Sequence, residues 1–551
     1  MDASPPRTAV LEIEGMTCDD CSRHVTQALE GLGLDAVSVS WPEGQARFTW
    51  SEAVSEDDLR AAISGAGYRP GALRVAQSPS ATSGGNRGDL DLVVLGAGSA
   101  AFAAAIKARE AGHRVVLVEE GVLGGTCVNV GCVPSKALLR PAELAWSAAH
   151  HPFDGLSTSS GPLDLAAMVA QKDALVDDLR RTKYLDLVDA YGLEVVSGHG
   201  RFVGPDSLQV GGRTLRADRF LVATGASPAV PPLPGLAEVG YLTSTTALGL
   251  KALPRRLAVI GASAIGLELG QFFLHAGVEV TLLEIAERVA PSEEPEVSDT
   301  LEKVLTSQGA AIHTGAQLIA ARTSKGLIEI QVRVDETEFM VVADQILVAT
   351  GRRPNTEGLG LRAAGVEIDG RGAIAVDDQL RTTNPRVFAA GDVTGAPQFV
   401  YVAAYQGALA AENALLDAGR AVDLTGLPRV TFTSPQIASA GVTEAQVRQS
   451  GHEVSVSVIG LESVPRALVN RDTRGLVKLV AEASTGRLLG ASLLAEGAGD
   501  VIQSAVLAIR HNLTTAELAS TFHPYLTMAE GLKLASQAFT RDVSKLSCCA
   551  A

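Results

Sequence analysis

The feature that most constrains this chain is that it makes the same manoeuvre twice. Residues 90–120, LDLVVLGAGSAAFAAAIKAREAGHRVVLVEE, read as a buried strand, a glycine-rich turn, a helix and a second strand. Residues 255–284, RRLAVIGASAIGLELGQFFLHAGVEVTLLE, repeat that order. Each copy is closed much later by an almost identical strand and turn, FLVATGASP (220–228) and ILVATGRRPN (346–355). Continuous apolar strands joined by a helix pair in parallel and need cover on both faces, so two α/β layers are expected.

The turns say what such layers hold. In the first copy Gly96-x-Gly98-x-x-Ala101 opens the helix and Glu119 ends the next strand. Gly96 permits the tight turn, Gly98 lets backbone approach a pyrophosphate at the helix N-terminus, and a small Ala101 lets helix pack on strand. Glu119 is placed to accept from ribose hydroxyls. The second copy is degenerate: Gly261-x-Ser263-x-x-Gly266, with Glu284 at the strand end. A Ser in place of the second glycine adds a hydroxymethyl group where phosphate must pass. A carboxylate at Glu284 favours free ribose hydroxyls and repels a 2′-phosphate, and Arg288 is the nearest basic residue. Two duplicated Rossmann-like dinucleotide-binding domains are the expected centre of the chain.

Six cysteines among 551 residues fall as three pairs: Cys18/Cys21, Cys127/Cys132 and Cys548/Cys549. Such pairing argues for metal binding or redox chemistry and against a structural disulfide framework. Read as positions on one helix, Cys127 and Cys132 lie close enough to bridge, and a helix N-terminus lowers a thiol pKa. Cys18 and Cys21 provide two thiolates, half of a tetrahedral zinc site but a full set for soft cations of low coordination number. Adjacent Cys548 and Cys549 form a mobile vicinal pair suited to a soft metal. A thioredoxin-like redox role for Cys18/Cys21, a metal site at Cys127/Cys132 and an incidental tail at Cys548/Cys549 are the plain alternatives.

Around this centre, residues 7–75 run β-α-β-β-α with a last strand near 69–76, a ferredoxin-like unit. Residues 77–88, QSPSATSGGNRG, have linker composition. From about Leu424 strands alternate with amphipathic helices up to the tail SKLSCCAA. The net charge of −16 gives no footprint for a phosphate backbone, so no nucleic acid partner is expected. No basic, then apolar, leader is visible at the N-terminus, and the longest uncharged stretch, 393–411, is broken by Gly, Pro and Gln. It reads as a buried strand-turn-helix without stable membrane insertion, in a cytoplasmic protein.

The segment GGTCVNVGCVPSK (124–136), the ATG repeats and AAGDVTG (389–395) resemble the flavin-dependent pyridine nucleotide–disulfide oxidoreductases over about residues 89–540. The resemblance implies FAD on the first duplicated unit and NADPH or NADH on the second. It places Gly125, Thr126, Thr224, Gly225 and Asp392 at FAD and Gly351 at the nucleotide. Lys136 and Glu268 match a pair beside the flavin, where a Lys stabilises negative charge on the reduced ring; an ordinary ion pair is the plain alternative. GMTCDDC (15–21) resembles the heavy-metal-associated domain. With the Cys-Cys tail, this combination resembles the branch of the family that reduces Hg(II) to Hg(0).

That branch implies further roles. Cys18/Cys21 acquire the ion from Hg(II)–thiol complexes, Cys548/Cys549 hand it inward and Cys127/Cys132 hold it for reduction. A homodimer whose tail serves the partner subunit's site is implied, with Tyr184 and Tyr525 lining the metal. Where thiol-reducing relatives have a His–Glu base, FHPYLTMAE (522–530) retains His523 but has Met528 at the carboxylate position, so His523 reads as a core residue. Each tyrosine also has a plain reading as core. The expected domains are 1–76 heavy-metal-associated, 77–88 linker, 89–235 with 356–423 for FAD, 236–355 for NAD(P)H, and an α+β dimerisation domain at 424–551. A dihydrolipoamide dehydrogenase-like disulfide reductase and a non-catalytic metal-sequestering flavoprotein are the rival readings.

Overall fold

Alternation in the first strand of the chain, Arg7–Glu14, turns Ala9, Leu11 and Ile13 to one buried face. The structure, a computed structural model, describes residues 7–16, 19–41, 44–50, 54–75 and 90–545, and divides into units 1–86 and 87–551. In the first unit an antiparallel sheet runs in the order Asp35–Ser40, Gln45–Trp50, Arg7–Glu14, Arg69–Val75. Helices Asp19–Glu30 and Glu56–Gly65 cover one face through Val25, Leu29, Leu59 and Ile63. Ser55 and Asp58 form a reciprocal cap at the start of the second helix. This is the expected βαββαβ order. Cys21 sits half-buried in the first turn of Asp19–Glu30. Cys18, the 77–88 stretch and Cys548/Cys549 lie outside the described residues.

The second unit is built on the duplication. The first sheet places strands Glu194–Ser197, Val115–Glu119, Leu90–Leu95 and Arg213–Val222 side by side in parallel, with Val387–Ala389 also pairing Arg213–Val222. The second is parallel throughout: Leu242–Thr243, Gln345–Val348, Arg256–Ile260, Glu279–Leu283 and Ala311–His313. Each copy also carries an antiparallel meander, 200–222 in one and 317–343 in the other. The repeat is thus deeper than the two strand-helix-strand segments that the sequence displays. Gly96 and Gly261 occupy matching positions with φ of +109° and +99°. A Cβ on either would lie 2.4 or 2.5 Å from the carbonyl oxygen of Ala223 or Ala349, at the end of the neighbouring strand. Only glycine meets both demands.

The two copies are joined where their ATG turns cross. Strands Ala226–Pro228 and Arg352–Pro354 pair antiparallel. Asn355 locks the crossing: its Nδ2 donates to Thr224 O (2.8 Å), and its carbonyl oxygen accepts from Thr224 Oγ1 (2.7 Å). A third sheet, ordered Pro428–Thr431, Gln436–Gly441, Leu488–Ala495, Leu476–Glu482, Val454–Gly460, closes the chain with helices on its face. No described helix is long and apolar enough to cross a membrane.

One buried charge fastens the third sheet to the second. Lys478 is 1% exposed on Leu476–Glu482, and its Nζ meets Glu294 (3.0 Å), Glu296 (2.8 Å) and Glu444 (2.9 Å). Burial opposes the ammonium, yet three carboxylates outweigh it and hold its pKa above the ordinary value. Replacing only the cation leaves the buried Glu294 carboxylate without its counter-charge. Lys478→Met is therefore expected to cost about 3 kcal/mol, read as earlier loss of near-UV circular dichroism on heating. Lys478→Met/Glu294→Gln should recover part of that loss.

Candidate active site

The cysteine pair is positioned by a break. Helix Gly125–Val130 carries Cys127, helix Cys132–His150 starts at Cys132, and Gly131 stands between them. The expectation of one helix is corrected here. Five positions apart on a continuous helix, the two side chains would point about 140° away from each other. The chain instead turns at Gly131, where a Cβ would lie 2.9 Å from Thr126 O, so the close approach of the two helices excludes any side chain. The pair is in the dithiol form, with the Cys127 thiol donating to the Cys132 sulfur. That hydrogen bond, helped by the Lys136 ammonium, holds Cys132 below the ordinary thiol range. Its position at a helix N-terminus works in the same direction. Cys127, which supplies the proton and is desolvated, is pushed up. Cys132 is the thiolate of the pair.

Lys136 lies one turn beyond Cys132, on the same helix face. Its Nζ donates to Glu268 Oε2 at 2.5 Å. Glu268 belongs to helix Ala264–His275 of the second copy, whose side chains are buried continuously from Gly266 to His275. Its other oxygen accepts from the backbone N–H of Phe432 at 2.9 Å, and the Phe432 ring centroid is 4.6 Å from Lys136 Nζ. Next to the thiols, Tyr184 sits in a π-helical turn, Arg181–Leu185, its ring edge-on to Phe102 at 4.9 Å. Burial pushes its phenol up, and the charge of the cysteine pair adds to that. Single π turns recur at functional sites.

Asp392 begins a short 3₁₀ turn, Asp392–Thr394, and burial raises its carboxyl against the pull of Arg352, 3.8 Å away. Arg352 and Tyr401 escaped the sequence reading. Arg352 is largely desolvated, which lowers its pKa, and lies within electrostatic reach of Asp392 and Cys132. Tyr401 donates to Pro428 O (2.5 Å), stacks on Phe399, and is pushed up to about 12 by burial. The basic residue in GRRPN was the available signal for Arg352. Phe432 and Tyr401 had none in local sequence.

The dinucleotide turns fit their expected groups. Gly98 precedes helix Ser99–Glu110 with no side-chain cap, leaving its first amides open, and a Cβ on Gly125 would come within 2.6 Å of Gly98 Cα. Ser263 precedes helix Ala264–His275 with φ −90°, ψ −172°, nearly the −90°, −167° of Gly98. Any residue adopts that extended backbone, so the degenerate second glycine costs no strain. Ser is a good capping residue, yet its hydroxyl does not cap this helix, and the amides stay available to an anion. Glu119 accepts from Gly121 N (2.7 Å) at its strand end. Glu284 is buried, with Oε2 accepting from Ala262 N (2.6 Å) and Oε1 from Ala286 N (2.9 Å). Thr224 uses its hydroxyl on Asn355, while Ala101 and Gly266 are buried against their strands.

The 521–529 turn departs from expectation. His523 is not packed in the core: it is half-exposed, with Nδ1 2.9 Å from Thr521 O. Met528 is buried in the C-terminal core, so an apolar side chain fills the place of the missing carboxylate. Tyr525 is 54% exposed and Phe522 fully so.

A solvent-reachable dithiol, with Cys127 half-buried and Cys132 exposed, in a chain with two open dinucleotide-type helix N-termini defines a redox enzyme using a pair of dinucleotides. Residues 90–407 match the family model described as pyridine nucleotide-disulphide oxidoreductase, and 427–536 match its dimerisation domain. Residues 10–69 match the heavy-metal-associated domain. The chain belongs to the pyridine nucleotide-disulphide oxidoreductase family. Within it, the chain groups with the mercuric reductases: it is 49% identical to that of Staphylococcus aureus over 98% of both chains. It is 51% identical to that of Streptomyces lividans over 84% of this chain and 98% of the relative. The HOCl-induced flavoprotein disulfide reductase from Escherichia coli superposes with a TM-score of 0.73 at 31% identity, covering 81% of this chain and 99% of that one.

The thiolate assignment has a direct test. In reduced, metal-free protein, iodoacetamide should modify Cys132 ahead of Cys127. The lowered pKa keeps the reactive thiolate present below the pH at which an ordinary thiol is protonated, and reactivity falls only as pH drops further. Lys136→Met should move that fall to higher pH, followed by mass spectrometry of the labelled peptides.

Proposed function

We propose that this chain reduces Hg(II) to Hg(0) with electrons from NADH or NADPH through FAD, as a cytoplasmic homodimer serving mercury detoxification. The observation that carries the reading is a dithiol with one member held as thiolate, between Lys136 and Tyr184, in a chain whose end-to-end relatives are mercuric reductases. FAD supplies two-electron relay between the nicotinamide and the thiol side.

The residues divide that work. Gly96, Gly98, Ala101, Glu119, Gly125, Thr126, Thr224, Gly225 and Asp392 hold FAD on residues 89–235 and 356–423. Gly261, Ser263, Gly266, Glu284 and Gly351 hold the nucleotide on 236–355. Lys136, braced by Glu268, keeps a positive charge at the flavin edge. Cys127 and Cys132 hold Hg(II) as paired thiolates, the Cys132 charge preformed and the Cys127 proton released on binding. Cys18 and Cys21 acquire the ion on the tethered N-terminal domain (1–76). Cys548 and Cys549, at the end of the 424–551 domain, pass it to the partner subunit's thiols past Tyr184 and Tyr525. Exchange between thiolate pairs keeps a soft cation coordinated throughout, so it is never released to other thiols. The buried Met528 disfavours a thiol-substrate base at His523.

NAD(P)H oxidation should be driven by Hg(II) with excess small thiol and not by lipoamide or glutathione disulfide. Cys127→Ala or Cys132→Ala should abolish it while FAD stays bound. Preference for a disulfide would favour a disulfide reductase, and no turnover with either would favour sequestration.

The nucleotide choice follows from Glu284. Two backbone amides hold its carboxylate in place, so it cannot swing away from a 2′-phosphate. Such a repulsion, once screened, is on the order of 1 kcal/mol. NADH should be used at least as well as NADPH, and Glu284→Gln should shift the kcat/KM ratio toward NADPH. A strong NADPH preference that the variant leaves unchanged would remove this assignment.

A further inference from the structure

The Lys136–Glu268 pair has a third member from a distant part of the chain. Phe432 follows strand Pro428–Thr431 of the C-terminal sheet, and it touches the pair in two ways. Its backbone N–H binds Glu268 Oε1 at 2.9 Å, and its ring centroid stands 4.6 Å from Lys136 Nζ, inside the range for cation–π attraction. The ring is 41% exposed, although a large apolar side chain beside a partly exposed ammonium gains little from facing water. The segment is held rigidly. One turn beyond Glu268, Gln271 accepts from Ser434 N (2.7 Å) and donates to Ser434 O (2.9 Å). Buried Thr433 donates to Pro435 O (2.7 Å).

A lysine reaches its partner through four rotatable bonds, and one carboxylate at its tip leaves most of them free. A ring against the ammonium and a carboxylate whose second oxygen is pinned remove that freedom. We propose that Phe432 is the positioning residue of Lys136, its ring and its N–H together fixing the ammonium at the edge of the flavin site. The chain thereby makes nucleotide-driven reduction depend on a segment of its dimerisation domain. This rests on the reading of Lys136 as the cation beside FAD.

The test uses the FAD-loaded full-length protein and follows flavin reduction by NADH anaerobically, before any Hg(II) is added. Phe432→Leu keeps the backbone N–H and removes the π face. It should slow flavin reduction by about fivefold at saturating NADH, leave the NADH KM within twofold, and make the flavin midpoint potential more negative. Phe432→Trp, which restores a π face, should recover both rate and potential. Gln271→Ala, which frees Ser434 without touching ring or ion pair, should change both in the same direction as Phe432→Leu, and decides the matter if Phe432→Leu does not fold. A Phe432→Leu protein with wild-type rate and potential overturns the proposal, as does a loss that Trp does not restore. A wild type that NADH reduces but Hg(II) does not reoxidise would remove the Hg(II) reading alone, because Phe432 is judged in the first half-reaction.

Discussion

The rest of the site depends on the Glu268 carboxylate. It is buried on a helix with no polar face to spare, and an ion placed there is tolerated only if both oxygens are paired. One pairs with Lys136 of the first copy, the other with the Phe432 amide of the C-terminal sheet. A single desolvated charge thus draws three parts of the chain to one point. That point lies one turn from the reactive thiolate. Lys478 does the same structural work with the opposite sign on a central strand of the C-terminal sheet, where one buried ammonium gathers three carboxylates.

The thiol pair shows geometry deciding chemistry. A continuous helix would separate the two sulfurs, and an open loop would leave both as ordinary thiols. The turn at Gly131 brings Cys127 near enough to give its hydrogen to Cys132 while leaving Cys132 at the start of a fresh helix. Hydrogen bond, helix terminus and Lys136 then all favour charge on the same sulfur. Tyr184, held up in its neutral form by burial, puts a phenol and not a phenolate beside that charge.

The two dinucleotide units reach one backbone design from unequal sequences. Gly98 and Ser263 share an extended conformation, and both leave the following helix uncapped. The position where glycine is obligatory is the one before, at Gly96 and Gly261, because the neighbouring strand end leaves no room for a Cβ. Glu284 then differs from a freely exposed acid: fixed by two amides, it acts as part of the turn.

Local sequence by itself determined the elements that repeat or alternate. The parallel strands, their helices, the N-terminal βαββαβ order and the Gly-turn positions follow from apolar periodicity and steric demand, which are properties of neighbouring residues. The pairing of Lys136 with Glu268 was legible only through likeness to a family, since no local pattern links positions so far apart. The tertiary structure alone decided the break between Cys127 and Cys132, the exposure of His523, and the recruitment of Phe432, Arg352 and Tyr401. Each of these depends on what desolvates or approaches a group from elsewhere in the chain. Burial and charge act through space, and the order of residues does not record which distant side chain will fill that space.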